Sequence, residues 1–424
     1  MIMPPENTPQ GFLAVPAENR ASKPDPMRKP NLNSSPADGL PGLERERAWV
    51  TIDLNALAYN VESLQRWVGP RVELMAVVKA DAYGHGAIAT AKTVLAAGAT
   101  RLAVATLEEG IELRQADIDA PILVLGLLQN LVQMQIAVDY DLELTLCTLD
   151  QVERLAGAAT GSDRPLKVHL NIDTGMSRLG VPWQEARSLV QGVYAQPTLE
   201  LASIYSHFAT ADESDSLWAN RQHQRFEQAI AQIKSLLKSL DRPLPPLHMG
   251  NSAAILNNRI FHYDWVRPGL ALYGLCPAEF LSDRLPLKPV LSVHARVAQI
   301  RTIHPGEGVS YGHRFVAQRP TQVATVSIGY ADGIPRRLSG QLSVIFNDQL
   351  IPQIGTITMD QLLLDVTDAP DLRVGNMVTL LGTGQYSENL AISAQDWADT
   401  LGTISWEILS GFRHRLPRVI LPAT

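Results

Sequence analysis

The sequence is poor in the features that would mark a secreted, membrane-bound or nucleic-acid-binding protein. It has only two cysteines, Cys147 and Cys276, and neither belongs to a Cys-x-x-Cys pair, so we expect reduced thiols and a cytoplasmic location. It also lacks any run of about 18 apolar residues, the length expected of a membrane span. Acidic residues outnumber basic ones by 43 to 36, whereas a nucleic-acid-binding surface normally has a basic surplus. We therefore expect neither a membrane nor a nucleic acid as a partner.

Several common catalytic and metal-binding patterns are missing as well. The ten histidines are scattered, with no His-Glu-x-x-His motif and no Cys/His cluster, so we expect no metal site. The phosphate loop of nucleotide hydrolases and the Gly-x-Ser-x-Gly nucleophile elbow are also absent. Any chemistry must therefore use other residues.

What is present falls into three regions of different texture. Residues 1–46 are crowded with proline and polar residues and lack a long apolar block. This composition predicts a disordered tail rather than a secretory signal. Residues 47–286 alternate short apolar runs with longer amphipathic stretches, of which 85–98 and 217–240 are the clearest helices. Residues 287–424 predict a mainly β domain, with strands near 290–301, 322–328, 342–346, 361–366 and 377–381 and a helix near 392–401.

The middle region predicts a parallel (β/α)8 barrel, an α/β fold. Its candidate strands are 72–78, 102–105, 122–125, 142–146, 167–172, 201–205, 247–250 and 265–270. Each is short and mostly apolar, as expected for a strand covered on both faces. The alternative is an open, doubly wound sheet, but the count of eight favours the barrel.

Active residues of such barrels lie at the C-terminal ends of the strands. Lys79 ends the first strand and precedes Tyr83, Gly84 and Gly86. Partial burial in the barrel mouth would disfavour its ammonium form and make the amine a better nucleophile. The alternative is a surface lysine that happens to end a strand.

Two further strand ends carry candidate ligands. Arg178 lies at a glycine-flanked turn and could hold a carboxylate or a phenolic oxygen, although such an arginine is more often a structural ion-pair partner. His207 follows the sixth strand, and a lone histidine there is more often a satisfied core residue than a catalytic one.

The last two strands end in what looks like a phosphate cradle. Ser252 begins a helix after the seventh strand, and Gly269 and Leu270 follow Arg267 at the eighth. Hydroxyl and backbone N–H groups at such a position can bind a phosphate. A lysine opposite a phosphate cradle is what pyridoxal phosphate requires.

These motifs, taken together and in order, resemble those of the alanine racemases. The resemblance extends from about residue 49 to the C-terminus. Its motifs are the segments 78–86, 173–176, 206–209, 248–252, 267–269, 308–312, 328–333 and 355–360.

The resemblance implies a role for each candidate residue. Lys79 would carry pyridoxal 5'-phosphate covalently, Tyr83, Ser252, Gly269 and Leu270 would hold its phosphate, and Arg178 and Arg267 would contact its ring oxygen and ring nitrogen. In the β domain, Met359 would help Arg178 bind the substrate carboxylate, and Tyr330 would lie near the substrate entrance.

The resemblance also implies a two-base mechanism in a homodimer. Lys79 would exchange the proton of D-alanine on one face of the cofactor, and Tyr311 of the neighbouring subunit that of L-alanine on the other. Both bases need a lowered pKa, which burial and the cationic neighbours His207 and Arg267 would supply. The D-alanine made would feed cell-wall peptidoglycan.

The sequence departs from the family pattern at three positions. Asn171 replaces a lysine that many members carbamylate to orient the arginine seven residues later, here Arg178, so we expect chloride or water in that gap. Trp406 stands where a tyrosine usually contacts the phosphate, and indole N–H donates but cannot accept. Thr358 replaces a frequent cysteine.

Three alternatives stay open. A decarboxylase of basic amino acids shares the scaffold but has a glycine-rich phosphate loop and an active-centre cysteine that are not found here. A racemase of broader range, acting for example on serine, is harder to separate. A non-catalytic carrier of pyridoxal phosphate resembles the barrel alone, without a β domain carrying Tyr311.

Overall fold

The computed structural model of the chain describes residues 45–384, 390–412 and 415–421. The predicted tail, residues 1–46, lies outside the described residues except for its last two positions. Strands are numbered β1 to β20 and helices α1 to α11 in chain order. No helix of the described residues is long and apolar enough to cross a membrane.

The strand bounds are as follows: β1 (Ala48–Asp53), β2 (Glu73–Val77), β3 (Arg101–Val104), β4 (Ile122–Val124), β5 (Glu143–Leu146), β6 (Leu166–Asp173), β7 (Val181–Pro182), β8 (Leu199–Tyr205), β9 (Leu247–His248), β10 (Trp265–Val266), β11 (Leu291–Ile303), β12 (Gly308–Val309), β13 (Phe315–Val316), β14 (Thr321–Val326), β15 (Ser343–Phe346), β16 (Gln349–Pro352), β17 (Leu362–Asp365), β18 (Met377–Thr383), β19 (Ala391–Ile392) and β20 (Arg418–Leu421).

The helix bounds are as follows: α1 (Leu54–Val68), α2 (Lys79–Gly84), α3 (Ala87–Ala96), α4 (Leu107–Gln115), α5 (Leu131–Asp139), α6 (Leu149–Ala158), α7 (Ala186–Tyr194), α8 (Leu217–Ser239), α9 (Ser252–Asn257), α10 (Ala394–Leu401) and α11 (Ser405–Ser410).

Eight parallel strands close into a barrel, as the sequence predicts. Their order is β5-β4-β3-β2-β10-β9-β8-β6, and pairing of β5 with β6 closes the ring. Between the strands and the surrounding helices lies a continuous apolar core. All eight predicted strands are found, because each is a short apolar run bounded by turn residues. The alternative of an open sheet is excluded by the closing pair.

A mainly β domain follows the barrel, also as predicted. Its sheet runs β16-β15-β18-β11-β1-β20, and β14, which pairs with β11, continues through β17. The long strand β11 forms its backbone and pairs with three neighbours.

The first strand belongs to this second sheet rather than to the barrel. β1 pairs antiparallel with β11 and parallel with β20, and Trp49 lies opposite His294. The sequence places residues 47–53 in the barrel domain because they directly precede its first helix. Pairing between segments more than 200 positions apart leaves no local signal, so the sequence pattern cannot assign β1 to a sheet.

Candidate active site

Lys79 lies at the C-terminal end of β2, half-buried in the mouth of the barrel. Burial lowers the pKa of its ammonium group, and the positive charge of Arg178 lowers it further, while Glu109 acts in the opposite direction. A lysine in these surroundings has more of the neutral amine needed for a nucleophile or a base than an exposed one.

The chain leaves Lys79 in a left-handed turn. Ala80, Asp81, Ala82 and Tyr83 have φ values of 54°, 52°, 53° and 56°, and none of them is glycine. Each such residue costs about 1–2 kcal/mol relative to the right-handed form. Backbone strain of this kind persists only where surrounding contacts hold it, and it is common at functional sites.

Glu109 is one of these contacts, and sequence reasoning missed it. One carboxylate oxygen accepts a hydrogen bond from the backbone N–H of Ala80 at 2.6 Å, and the other accepts from Ala105 at 2.7 Å. Glu109 also completes a capping box with Thr106 at the start of α4. The Thr-Leu-Glu-Glu pattern at 106–109 is a sequence signal for that box. It carries no signal for the contact with the turn after Lys79.

The residues predicted to bind a phosphate lie together at the ends of β9 and β10. The Ser252 hydroxyl accepts hydrogen bonds from the backbone N–H groups of Gly269 at 3.0 Å and Ala271 at 3.2 Å. A Cβ placed on Gly269 would lie 2.7 Å from the Tyr83 hydroxyl, so only glycine permits this approach. Tyr83, Ser252 and the 269–270 backbone therefore meet, as predicted, and burial raises the pKa of Tyr83 to about 12. At neutral pH its hydroxyl is a donor.

Four basic groups converge beside this cradle. His207 is held by Arg267, whose Nη2 lies 3.2 Å from its Nδ1. Burial, and then the charges of Arg267, Arg178 and Lys79, lower the pKa of His207 to about 3. Burial lowers the pKa of Arg267 to about 10, so it stays charged at neutral pH. The imidazole of His207 is therefore neutral at neutral pH, and the positive charge of the cluster comes from Arg178 and Arg267.

No ion pair within the described ranges neutralises Lys79, Arg178 or Arg267. Uncompensated positive charge in a partly buried site is unfavourable unless an anion binds there. The arrangement therefore suits a small molecule with a phosphate at one end and a group that reacts with an amine at the other.

Gln222 of α8 positions the strand end that carries His207. Its amide donates to the carbonyl of His207 at 2.8 Å and accepts from the N–H of Ala209 at 2.9 Å. Sequence reasoning did not find Gln222, because it lies in the middle of an amphipathic helix where glutamine is an ordinary surface residue.

The β-domain candidates form a separate, exposed group. Tyr311 is 72% exposed and Met359 is 53% exposed. The Thr356 hydroxyl donates to the carbonyl of Tyr311 at 2.7 Å, and the N–H of Tyr330 donates to Thr358 at 3.0 Å. Within the described residues no hydrogen bond or ion pair links this group to Lys79.

Two of the three departures from the family pattern, Asn171 and Trp406, lie beside the barrel site, whereas Thr358 belongs to the β-domain group. Asn171 is buried at the end of β6, and Arg178 of the following turn is exposed. Trp406 is half-buried in α11, a helix that packs on the turn after Lys79. A Cβ at Gly84 would lie 2.6 Å from the carbonyl oxygen of Leu409, which requires glycine there.

Both parts of the chain match known sequence families. Residues 52–277 match the family described as "Alanine racemase, N-terminal domain", and residues 290–420 match "Alanine racemase, C-terminal domain". An alanine racemase of Nostoc sp. is 52% identical over 376 residues, which cover 88% of this chain and 96% of that protein. One from Synechocystis sp. is 51% identical over 377 residues, 89% of this chain and 100% of that protein.

Solved structures give the same result. Alanine racemase from Bacillus anthracis with bound L-Ala-P has a TM-score of 0.81 and 37% identity, covering 89% of this chain and 95% of that one. Alanine racemase from Bartonella henselae with covalently bound pyridoxal phosphate has a TM-score of 0.78 and 31% identity, covering 88% and 99%.

Proposed function

The chain belongs to the alanine racemase family and interconverts L- and D-alanine, and we propose that it does so with pyridoxal 5'-phosphate bound at the barrel mouth and with Lys79 and Tyr311 as its two bases. The observation that carries the proposal is the meeting of a pKa-lowered lysine, two arginines without an ion pair among the described residues, and the predicted phosphate-binding residues at one end of the barrel.

The residues present fit this cofactor. Tyr83, Ser252 and the backbone of Gly269 and Leu270 would hold its phosphate. A side chain at position 269 would clash with the Tyr83 hydroxyl, so the glycine there leaves the backbone open to a ligand. The similar alanine racemase from Bartonella henselae has covalently bound pyridoxal phosphate, the same cofactor. When bound, pyridoxal phosphate withdraws electrons from the substrate Cα and makes its proton removable.

Lys79 would hold the cofactor and then act as the base for D-alanine. Its lowered pKa supplies the neutral amine that must accept a proton, and the left-handed turn after it, held by Glu109, fixes the backbone beside it. Arg178 would contact the ring oxygen and, with the backbone of Met359, the substrate carboxylate.

Arg267 would face the cofactor's ring nitrogen. Because its guanidinium stays charged at neutral pH, it donates a hydrogen bond but does not give up a proton. The ring nitrogen would then stay largely unprotonated, which limits how far electrons move into the ring and so suppresses side reactions such as transamination.

Tyr311 would serve the opposite face, in the barrel of a second copy. In a single chain its side chain is 72% exposed, together with the neighbouring Tyr330 and Met359. Large apolar side chains are also exposed in the first turns of the helices that follow barrel strands β4 and β8, at Val132 in α5 and Trp218 in α8. One exposed surface thus lies on the β domain and another on helices that follow barrel strands. Together they favour a symmetric homodimer in which each β domain covers the other barrel. Arg267 would then lie beside Tyr311, and its positive charge would lower the pKa of Tyr311, whereas the expected contribution from His207 is wrong because its imidazole is neutral.

We also propose a cytoplasmic location and a role in supplying D-alanine for peptidoglycan. The unpaired thiols of Cys147 and Cys276 support a reducing compartment. As domain boundaries we keep 47–286 and 287–424, with β1 contributed to the second sheet.

The test is interconversion of L- and D-alanine by purified protein supplied with pyridoxal phosphate and analysed by chiral chromatography. Wild type should give equal amounts from either isomer. Tyr311→Phe should lose racemisation by about 10²–10⁴-fold. It should still exchange the α-proton of D-alanine with deuterated solvent, because Lys79 remains.

Two results would contradict the proposal. Bound cofactor without interconversion of alanine would point to another amino acid, with serine and lysine tested next, or to a carrier. Loss of D-alanine exchange in Tyr311→Phe, with cofactor still bound, would mean that the two bases do not act on separate faces.

A further inference from the structure

One side of the barrel interior is polar. Barrels of this kind are usually filled by branched apolar side chains. Here an apolar cluster fills only part of the interior, namely Met75, Val77, Ala103, Leu123 and Trp265. The strands β5, β6, β8 and β9 contribute buried polar side chains instead, namely Glu143, Thr145, His169, Ser203 and His248. Such groups are costly to bury unless each is hydrogen-bonded, so their arrangement calls for an explanation.

Four hydrogen bonds link Arg267 at the barrel mouth to Glu143 at the opposite end. Arg267 Nη1 lies 2.6 Å from His248 Nδ1, and His248 Nε2 lies 2.7 Å from Ser203 Oγ. Ser203 Oγ lies 2.6 Å from His169 Nδ1, and His169 Nε2 lies 2.9 Å from Glu143 Oε2. We call these five residues the interior chain.

The two ends fix the direction of every bond. Arginine can only donate, so His248 Nδ1 accepts and its proton lies on Nε2, which donates to Ser203. A carboxylate can only accept, so His169 carries its proton on Nε2 and accepts at Nδ1. Ser203 has one hydrogen, which it donates to His169. With both imidazoles neutral, each polar hydrogen of the interior chain therefore has one acceptor.

The anionic end is held as a carboxylate. Burial alone would raise the pKa of Glu143, but the hydrogen bond from His169 and the charges of Arg101 and Lys167 lower it to about 2. Arg101 Nη1 and Lys167 Nζ lie 3.6 Å and 3.5 Å from its carboxylate oxygens. Glu143 therefore remains an acceptor across the neutral range.

The ring of His248 is fixed by packing. It stacks on Tyr205 with centroids 4.9 Å apart and planes 10° apart, and Trp265 lies 5.2 Å away. Packing therefore fixes the orientation of the ring but not its tautomer, that is, which of the two nitrogens carries the proton.

We propose that Ser203, His169 and Glu143 are positioning residues for Arg267, and that they act by fixing the tautomer of His248. With the Nδ1 lone pair of His248 held toward Arg267, the guanidinium keeps its orientation, and its Nη2 donates to the carbonyl of Ser206 at 2.7 Å. The inference rests on the proposed function only in that Arg267 faces the ring nitrogen of the cofactor.

The first test is ¹⁵N NMR of the holoenzyme labelled at histidine, with the imidazole signals assigned by single His→Gln replacements. In wild type, His248 and His169 should both be neutral with the proton on Nε2. In Ser203→Ala, His248 loses its acceptor and should populate the Nδ1–H form, while Ser203→Thr should restore the wild-type signals. Doubly protonated His169 in wild type would overturn the proposed direction.

The second test is kinetic. Ser203→Ala should lower kcat by about tenfold to a hundredfold, as loss of a supporting hydrogen bond does behind other site residues. KM for alanine should change by less than about twofold, because the substrate contacts remain. Ser63→Ala is the matched control, since Ser63 is a buried serine on α1 whose hydroxyl accepts a hydrogen bond from Arg66, outside the interior chain.

Glu143→Gln provides an independent variant should Ser203→Ala fail to fold, and Glu73→Gln is its control because Glu73 also pairs with Arg101. Glu143→Gln should lower kcat and shift the His169 signals, and Glu73→Gln should do neither. Folded variants of the interior chain with unchanged imidazole signals and kcat would show a merely structural role. Nε2–H signals in a wild type without racemase activity would instead contradict the proposed function while supporting the hydrogen-bond chain.

Discussion

The surroundings of the two proposed bases differ sharply within one chain. Lys79 lies in the barrel mouth, where burial and then the charge of Arg178 lower its pKa, at the start of a turn braced by Glu109. Tyr311 lies in the β domain with 72% of its surface exposed. One chain therefore holds one proposed base in a partly buried cationic site and the other on an exposed surface of the β domain.

This difference indicates how a base could be supplied to each of the two faces of the substrate. Inversion needs a proton donor and acceptor on each face of the substrate, and one barrel supplies Lys79 on one face only. If the second face is completed by a neighbouring copy, racemisation depends on dimer formation, whereas cofactor binding depends largely on the barrel. The following predictions test that division.

The largest effect is expected when two inactive variants are mixed. Lys79→Ala removes the cofactor-holding base and Tyr311→Phe removes the other, so each alone should be nearly inactive, by about 10²-fold or more. In a mixed dimer, one site combines both defects and the other has both wild-type residues. Subunit exchange of equal amounts should therefore restore about one quarter of wild-type activity, from half the dimers with one good site each.

This recovery has a clear control. Lys79→Ala mixed with the double variant Lys79→Ala/Tyr311→Phe has no intact lysine and should stay inactive. Activity is measured after exchange under mild denaturant and refolding, with dimer content checked by sizing. No recovery from dimers known to be mixed would place Tyr311 and Lys79 of one chain in the same site.

The same contrast decides what the sequence could predict. The barrel part of the site could be predicted from the sequence, because its residues follow strands whose apolar pattern is visible and barrel topology brings strand ends together. These residues are Lys79, His207, Ser252 and Arg267. The eight strands and the mainly β second domain were predicted for the same reason. The roles of these residues came from resemblance to a family, not from their spacing.

The remainder depends on contacts between distant segments. Glu109 braces the turn at Ala80 from 29 positions away, and β1 joins β11 across the whole barrel sequence. The sequence predicts His169 and Ser203 only as strand residues. Side chains of a strand alternate between two faces, and when both faces are buried the pattern does not show which one points into the barrel. Each of these features required the three-dimensional arrangement.

A smaller effect should come from an anion on the Lys79 side. Asn171 at the end of β6 is neutral, and Arg178 forms no ion pair within the described part of the chain. We expect chloride to fill this position. Replacing chloride by gluconate at equal ionic strength should then weaken cofactor binding and raise KM for alanine by roughly threefold to tenfold.

Asn171→Asp sharpens this test, because a fixed carboxylate should replace the ion and make both constants insensitive to chloride. Equal ionic strength removes general screening as an explanation. If wild type behaves identically in chloride and gluconate, water occupies the position and the anion plays no part.

The smallest effect concerns the strained turn that separates Lys79 from an ordinary surface lysine. Ala80 is exposed at φ 54°, where glycine is unstrained, whereas Ala231 is exposed in the middle of the right-handed helix α8. Ala231→Gly should lower the free energy of unfolding by about 1 kcal/mol. Ala80→Gly gains the released strain, about 1–2 kcal/mol, against a similar entropy cost, and should leave stability unchanged or raise it by up to about 1 kcal/mol. Denaturant unfolding at a fixed protein concentration measures both variants, since a dimer's stability depends on concentration.

If the Lys79 turn is strained in order to aim its amine, Ala80→Gly should also lower kcat while Ala231→Gly does not. Equal destabilisation by the two substitutions would mean that the left-handed turn stores no strain, and that burial and neighbouring charge alone distinguish Lys79 from Tyr311.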